Sequence, residues 1–339
     1  MKRWLVFILL GVLLCGCSKE ETVEKLVLPY DEYKQTYHII EKLEDDTSNY
    51  TDVLYYKNQI LATDSKNNCI KVWNEKFEDV QVIGSMGNGQ LQFIKPKAMD
   101  VDQNGMIYIL DYGNSRIQVL DSNLQYKKEI ALSFLEGSDY QTETADFVVS
   151  EDGTYAYITG TLYNPNLIYV NLETGETEQV VEYTEGYVTK INQTIYYIEL
   201  GECIVDGDDM TITSGVNYLY TLKSKEIISK VRLSDDLTVR GIMAHNEQLL
   251  CSSWRVRVGT KSSGGSLIHQ FKTNGDYVET IFGTELIDDQ FENNKKPENE
   301  ALFLYYITEG PNDSILAIYS RKGQDDSKDG MGIMVLDQK

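Results

Sequence analysis

Short apolar runs separated by polar turns dominate the sequence, and residues 96–121 show this pattern most clearly. Ala98–Val101, Met106–Leu110 and Ile117–Leu120 are apolar runs with the length and composition of β-strands. Gln103–Gly105 separates the first two runs, and its Asn-Gly pair supplies the positive φ values of a tight hairpin. Tyr112–Ser115 separates the second run from the third. The sequence therefore predicts three consecutive antiparallel strands here.

The same order of strands and turns recurs along the chain, in segments 53–77, 96–121, 145–181, 187–233, 239–282 and 302–336. Ala62–Asp64 and Ile70–Val72 occupy in the first segment the places of Ile109–Asp111 and Ile117–Val119 in the second. Residues 45–339 divided among six segments give about 49 residues each, which is typical of four-stranded propeller blades. A fourth strand follows the third in five segments. The sequence predicts an all-β fold, a six-bladed β-propeller of four-stranded blades.

The two ends of the chain are predicted to close this ring together. The sixth segment has no fourth strand because the sequence ends at Lys339, and Thr36–Leu43 is a strand with no hairpin partner. We expect this N-terminal strand to complete the last blade, with Ile39 and Ile40 pairing with Gly332–Leu336. Such closure leaves no open sheet edge between the first and last blades. The propeller is thus predicted to span residues 36–339.

One blade carries a recognisable family motif. Residues 84–93 (GSMGNGQLQF) and 96–119 (PKAMDVDQNGMIYILDYGNSRIQV) resemble an NHL-repeat blade. The whole chain resembles the six-bladed NHL/TolB-like propeller lipoproteins of bacteria, although the motif is faint in the last four segments. In that family the residues matching Asp111, Asn114 and Arg116 mostly bind the turn internally. The resemblance thus implies that this Asp accepts loop N–H groups and that this Arg pairs with a carboxylate.

The N-terminus resembles a bacterial lipoprotein signal peptide over residues 1–16. Lys2 and Arg3 precede an apolar run, Trp4–Leu14, which is 11 residues long, and about 20 are needed to span a bilayer. Gly16 provides the small residue before Cys17, whereas Leu14 is too bulky to precede Cys15 in the same role. The alternative is a plain secretory leader that contains cysteine.

The lipoprotein resemblance implies a location and an anchor. Cys17 would carry diacylglyceryl on its thiol and an acyl group such as palmitate on its amine, and several acyl chains anchor a protein stably. The protein is therefore expected in the bacterial cell envelope, extracytoplasmic and anchored to a membrane through its lipid. Residues 17–35 are interpreted as a tether between this anchor and the propeller.

The net charge of the chain limits the classes of molecule that it is expected to bind. The sequence has 53 acidic and 31 basic residues among 339, a formal net charge of −22. Nucleic-acid binding requires a basic surface, so we expect no nucleic-acid partner. An acidic surface also repels anionic lipid head groups, which leaves membrane attachment to the acyl chains.

Motifs for catalysis, cofactors or metals are absent from the sequence. Cys69, Cys203 and Cys251 match no metal spacing and are expected as buried free thiols, with one disulfide as the alternative. His38, His245 and His269 fall in three different segments, so each is expected to be a satisfied strand or loop residue. Asp100–Gly105 and Asp325–Gly330 resemble the start of a calcium loop, but a hairpin turn and a solvated loop are the preferred interpretations. We therefore expect no cofactor and assign no catalytic residue.

The most suggestive cluster for binding surrounds Trp254. An exposed Trp254 with Arg255 and Arg257, in so acidic a chain, is typical of a binding surface. The alternative is a strand that points Trp254 and Val256 inward and both arginines outward. Tyr112, Tyr163, Arg240 and Arg321 occupy comparable positions at blade ends and are predicted to share that face.

Two functions are compatible with these features. The first is an extracytoplasmic binding or scaffold protein that holds a protein, peptide or glycan ligand with the loops of one propeller face. An envelope assembly component that holds other subunits is a variant of it. The second is a metal-dependent propeller hydrolase or lyase with a site in the central channel, which fold analogy alone supports.

Overall fold

The computed structural model describes residues 26, 28, 35–135, 146–160, 166–182, 184–201, 203–206, 211–214, 216–235, 237–257, 263–284, 302–321 and 330–338. These residues form 28 strands and three 3-10 helices of one turn each. Among them no helix has the length and apolar character needed to cross a bilayer.

The strands form six four-stranded antiparallel blades, one of which is extended by a hairpin, and every blade strand but one follows in chain order. The exception is β1 (Tyr37–Glu44), which belongs to blade 6. Blade 1 consists of β2 (Tyr50–Tyr56), β3 (Gln59–Asp64), β4 (Cys69–Asn74) and β5 (Gln81–Ile83), and a parallel pair of short strands, β6 (Ser85–Met86) and β7 (Gln92–Phe93), follows it. Blade 2 consists of β8 (Pro96–Val101), β9 (Ile107–Asp111), β10 (Arg116–Leu120) and β11 (Tyr126–Ala131). Blade 3 consists of β12 (Phe147–Val149), β13 (Tyr155–Thr159), β14 (Asn166–Asn171) and β15 (Thr177–Glu182).

The second half of the chain repeats this order with one added hairpin. Blade 4 consists of β16 (Gly186–Ile191), β17 (Thr194–Glu199), β20 (Asn217–Lys223) and β21 (Glu226–Ser234), and the hairpin of β18 (Cys203–Asp206) and β19 (Thr211–Ser214) is inserted between β17 and β20. Blade 5 consists of β22 (Thr238–His245), β23 (Gln248–Arg257), β24 (Ser263–Phe271) and β25 (Tyr277–Gly283). Blade 6 consists of β26 (Leu302–Glu309), β27 (Ile315–Arg321), β28 (Gly330–Gln338) and β1.

The blades close into a ring. The first strands of consecutive blades contact one another in a complete cycle and therefore surround its centre, and β26 of blade 6 contacts β2 of blade 1. β1 pairs antiparallel with β28, with Ile39 opposite Leu336 and Glu44 opposite Gly332. The predicted six-bladed propeller and its closure by the N-terminal strand are both confirmed. We call the end with the loops between second and third strands the loop face, and the opposite end the turn face.

Alternating side chains of each blade pack against the next blade, which is where the core lies. Between blades 2 and 3, for example, Leu110, Val119, Phe147 and Val149 are all buried in one apolar cluster. Burying one such side chain stabilises the fold by about 1.5–3 kcal/mol. Because each sheet is covered on both sides by its neighbours, no blade needs a hydrophobic core of its own.

The N-terminal segment reaches the ring before β1 begins. Leu26 exchanges backbone hydrogen bonds with Asp235, donating to the carboxylate at 2.8 Å and accepting from its amide at 2.9 Å. Leu28 is buried in the apolar cluster between blades 4 and 5. The part of the expected tether nearest the propeller thus contains residues that pack on it.

The loops between second and third strands of blades 4 and 5 differ from prediction. The sequence predicts long loops here, at 201–215 and from Trp254 to Gly265. Instead, β23 continues to Arg257, β24 begins at Ser263, and β19 pairs with β23 where Thr211 faces Arg257. Within each hairpin the strands pair with each other's backbone polar groups, and the pair of Thr211 and Arg257 joins the two hairpins. We call this joined structure, β18–β19 with the ends of β23 and β24, the arm.

Candidate functional site

Carboxyl groups on three of the innermost strands connect consecutive blades. Each accepts one hydrogen bond from the amide of the next residue and another from an amide in the first strand of the following blade. The bonds between blades join Asp52 to Met99 (2.5 Å), Asp100 to Val149 (2.6 Å) and Asp146 to Val188 (2.7 Å). These carboxyl groups therefore hold blades 1 to 4 together around the centre of the ring.

Two of these carboxyl groups bind protons more tightly than an exposed aspartate does. Asp52 is 0% and Asp146 3% exposed. Burial raises the pKa of Asp52 well above its usual range and that of Asp146 to about 7, and nearby carboxylates add to both effects. Tyr306 of blade 6 lies close enough to both carboxyl groups to interact with them electrostatically, and burial raises its pKa as well. The centre of the ring thus holds a proton-binding cluster of Asp52, Asp146 and Tyr306.

The third carboxyl group has a cationic partner. Lys190 of blade 4 donates from Nζ to Asp100 Oδ2 at 2.7 Å, to the Val101 carbonyl at 2.9 Å and to the Val149 carbonyl at 2.8 Å. The side chains are 20% and 15% exposed. One ammonium group thereby joins blades 2, 3 and 4.

A second cation lies nearer the loop face. Arg240 sits at a bulge of β22, between Val239 and Gly241, and its guanidinium is 3.9 Å from the centroid of the Trp254 ring. Its positive charge opposes the rise that burial causes in the pKa of Tyr187 and of Glu185. Its Nε is buried and has no hydrogen-bond partner among the described residues.

Trp254 is partly buried rather than exposed, which differs from the expectation of an exposed tryptophan. Its ring packs edge-on against Phe303 (5.4 Å) and Tyr305 (4.9 Å), and its Nε1 donates to the Leu304 carbonyl at 2.5 Å. Blade 6 therefore covers most of the ring. Trp254 joins blades 5 and 6 and, at the base of the arm, holds Arg240 in place.

The other residues predicted for this face lie apart from the pair of Arg240 and Trp254. Arg321 ends β27 and pairs with Glu44 (3.2 Å) and Asp46 (3.4 Å). Tyr112 starts a 3-10 helix in the loop between the second and third strands of blade 2. Tyr163, the side chains of Arg255 and Arg257, and Cys17 lie outside the described residues. The structure thus joins two of the predicted residues and places Tyr112 and Arg321 on other blades of the same face.

The residues of the NHL-like motif have the structural role that the resemblance implied. Asp111 accepts from the Ile94 amide at 2.9 Å, from Asn114 at 2.8 Å and from Arg116 Nε at 2.9 Å. Arg116 also pairs with Glu129 at 2.6 Å. Its remaining donors bind backbone carbonyls of the segment 88–92. The motif therefore fastens the connection between blades 1 and 2 onto the loop face.

The remaining candidates for metal or thiol chemistry have structural roles where they are described. Asp102 accepts from the amides of Asn104 and Met106, which confirms the turn, and Gly105 adopts a φ of +77° there. The second calcium-like stretch, Asp325–Gly330, lies outside the described residues apart from Gly330. Within the described ranges, no three His, Cys, Asp or Glu side chains lie close enough to hold a metal ion.

Cys69, Cys251 and His269 agree with expectation, whereas the Nδ1 of His245 is buried without a hydrogen-bond partner among the described residues. His269 bonds to Ser253 and Thr280, each at 2.8 Å, and burial lowers its pKa to about 3. His245 bonds to Tyr37 at 3.2 Å. Cys69 and Cys251 are buried free thiols. Each of these groups is enclosed within the packed blades.

Sequence reasoning missed the central residues Asp52, Asp146, Lys190 and Tyr306. A signal for the carboxyl groups was present, because an aspartate directly precedes an apolar residue in the first strands of three consecutive blades. Lys190 and Tyr306 have no such repeated context, and only the closed ring brings them to the carboxyl groups.

The architecture and the ring of first strands define a six-bladed β-propeller. Residues 42–236 match the model of the family DUF5128, described as a 6-bladed beta-propeller, and the chain belongs to this family. A search of curated protein sequences found no match.

Solved structures of similar shape share the fold at low sequence identity. A gluconolactonase from Xanthomonas campestris is 12% identical with a TM-score of 0.53, and the match covers 87% of this chain and 88% of that one. A catalytically inactive virginiamycin B lyase from Staphylococcus aureus with quinupristin is 12% identical with a TM-score of 0.52, over 89% and 100%. A luciferin-regenerating enzyme is 10% identical with a TM-score of 0.54, over 89% and 95%. At such identities these likenesses concern the fold alone.

Proposed function

We propose that this protein is a membrane-anchored, extracytoplasmic binding or scaffold protein. Its loop face holds a protein, peptide or glycan ligand that presents an anionic group. The lipid anchor on Cys17 and the location in the bacterial cell envelope belong to this proposal and are supported by the order of charge, apolar run, glycine and cysteine at the N-terminus.

The arrangement of Arg240 carries the proposal. A guanidinium has five N–H donors, and leaving a buried donor unpaired costs about 1–3 kcal/mol. Arg240 is held against Trp254 with Nε unpaired among the described residues. The side chain as a whole is only partly buried, so a carboxylate or phosphate on a ligand can approach the guanidinium group, and Arg is the side chain best suited to bind such groups.

The central carboxyl groups favour binding over metal catalysis. Each accepts two backbone N–H groups, and Asp100 also binds Lys190. A divalent cation at the centre would compete with these bonds and would require the neighbouring blades to release them. The described carboxyl groups are thus better suited to joining blades than to ligating a metal.

Ligand capture from bacterial envelope extract tests the proposal. The purified chain, an Arg240→Ala variant and an Arg321→Ala control are compared, and the captured molecules are identified and quantified by mass spectrometry. Arg321 is the matched control because it lies on the same face and is paired with Glu44 and Asp46. Loss of a charge-assisted bond worth about 1.5–3 kcal/mol should reduce capture by Arg240→Ala at least tenfold, a factor that corresponds to about 1.4 kcal/mol. Equal capture by all three proteins would remove Arg240 from the proposal.

The second candidate is a metal-dependent hydrolase or lyase with its site in the central channel. The raised pKa values of Asp52 and Asp146 beside Tyr306 favour it, because groups with perturbed pKa values cluster at catalytic sites. Metal analysis of the purified protein separates the two functions. Stoichiometric calcium or zinc that is lost in an Asp52→Asn variant would favour the enzyme.

A further inference from the structure

A polar cleft lies on the turn face, opposite the face of Arg240. It has a volume of about 530 Å³ and opens between blades 3 and 4. Three turns form its walls: the first turn of blade 3 at 150–155, the first turn of blade 4 at 192–194 and the last turn of blade 4 at 223–224. The volume falls within the range of small-molecule sites, about 300–1,000 Å³.

A fixed aromatic ring forms part of the cleft wall. Tyr155 stacks on Tyr169 with 5.3 Å between ring centroids, and the Ser224 backbone of blade 4 lies beside its hydroxyl. Behind it, the Lys225 ammonium lies 4.6 Å from the Tyr169 centroid and pairs with Glu178 at 2.5 Å. The ring of Tyr155 is thereby held by contacts to both blades and is preorganised for a ligand.

The polar side chains around this ring are available to a ligand. Glu151, Asn192, Gln193 and Lys223 line the cleft and have no side-chain hydrogen bond or ion pair to the described residues. Asp152 differs, because one of its carboxylate oxygens binds Ser150 and Thr154 and shapes the turn. The cleft therefore offers two amides, a carboxylate and an ammonium group beside an aromatic ring.

We propose that this cleft binds a neutral oligosaccharide. Amide and carboxylate side chains provide both donors and acceptors for the hydroxyl groups of a sugar, and the ring of Tyr155 provides apolar surface for its C–H groups. Glu151 and Asp152 outnumber Lys223, so the cleft disfavours an anionic ligand. This site lies on the other face from Arg240 and does not depend on the function proposed there.

Isothermal titration calorimetry with defined trisaccharides tests the inference. The probes are maltotriose, cellotriose and N,N′,N″-triacetylchitotriose, with trigalacturonate as the anionic counterpart. At least one neutral trisaccharide should bind with a dissociation constant in the micromolar to millimolar range, and trigalacturonate should bind more weakly. The double variant Glu151→Ala/Gln193→Ala should weaken binding about tenfold or more.

Two further variants show whether the trisaccharide binds in this cleft or elsewhere on the propeller. Gln59→Ala changes a glutamine beside the corresponding turn of blade 1 and should leave binding unchanged. Arg240→Ala, on the opposite face, should also bind the trisaccharide normally. If no neutral trisaccharide binds, or if the double variant binds as well as the unmodified chain, the inference is wrong. Unchanged thermal unfolding of the double variant, whose altered side chains lie at the surface, verifies that it is folded.

Discussion

Replacing Lys190 by methionine should destabilise the propeller more than the loss of an ordinary lysine would. The ammonium group donates to a carboxylate and to two carbonyl groups, and it joins three blades. Methionine keeps most of the apolar length of the side chain but leaves Asp100 without its cation and both carbonyls without this donor. A hydrogen bond to a charged group contributes about 1.5–3 kcal/mol, and each carbonyl contact about 0.5–1.5 kcal/mol. Because both charged side chains keep some solvent exposure, we expect a loss near the lower end, about 3 kcal/mol.

Urea unfolding followed by far-ultraviolet circular dichroism measures this loss. Lys272→Met is the control, because both side chains of its pair with Asp276 are exposed, at 61% and 59%, and such a pair contributes little to stability. A double-mutant cycle with Asp100→Asn should give a coupling energy above about 1 kcal/mol. A Lys190→Met protein within about 0.5 kcal/mol of the unmodified chain, the usual range for an exposed surface substitution, would refute the view that this lysine joins the blades.

Three further expectations follow from the structure, and a fourth follows from the N-terminal sequence. Deleting residues 35–44 removes β1 and opens an edge on β28, so gel filtration should show aggregation and thermal unfolding should lose cooperativity. Asp146 has a pKa of about 7 in the folded protein against an ordinary 3.8, so the unfolded chain releases this proton at a lower pH than the folded chain does. The free energy of unfolding should therefore fall by up to about 4 kcal/mol as the pH rises from about 4 to about 7. Urea titrations should show that Asp146→Asn removes this component of the pH dependence. Arg116→Ala leaves Asp111 buried without its cation and should cost about 3–5 kcal/mol in the same assay, and a loss below about 1 kcal/mol would contradict the structural role. Cys17→Ser should abolish incorporation of labelled palmitate during bacterial expression, and retained label would contradict lipidation at that residue.

The fold was predictable because the repeated pattern of strands and turns agreed with the need of a propeller to close into a ring. The motif in blade 2 indicated a propeller blade, and the spacing of the segments indicated six of them. The unpaired N-terminal strand could then pair only with the sixth blade, which lacked a fourth strand. The arm was missed because its strands pair across two blades, between Thr211 and Arg257. Nothing local in a Gly- and Ser-rich loop indicates a partner that lies more than forty residues away.

The candidate site was predictable only in part, for a related reason. Arg240 and Trp254 were expected on one face, and they do stack, but the burial of Trp254 depends on Phe303 and Tyr305 from another blade. The cleft on the turn face consists of Glu151, Gln193 and other turn residues whose local sequence resembles any solvated turn. The burial and contacts of these residues depend on neighbours from other blades, which the local sequence pattern does not reveal.

The side chains that join consecutive blades are acidic in one half of the ring and uncharged in the other, so charge is distributed unevenly around its centre. Aspartates join blades 1 to 4, whereas an Asn217 bond to the Leu237 carbonyl (2.9 Å) and a Leu304 amide bond to Ser266 (2.8 Å) serve blades 4 to 6. The cations of the centre, Lys190 and Arg240, both come from blades 4 and 5.

Lys190 is already neutralised by Asp100, so the charge available to a ligand is that of Arg240. An anionic group approaching the loop face should therefore be attracted towards Arg240 in blade 5. The position of this charge supports the binding face proposed above, with the anionic group of the ligand turned towards blade 5.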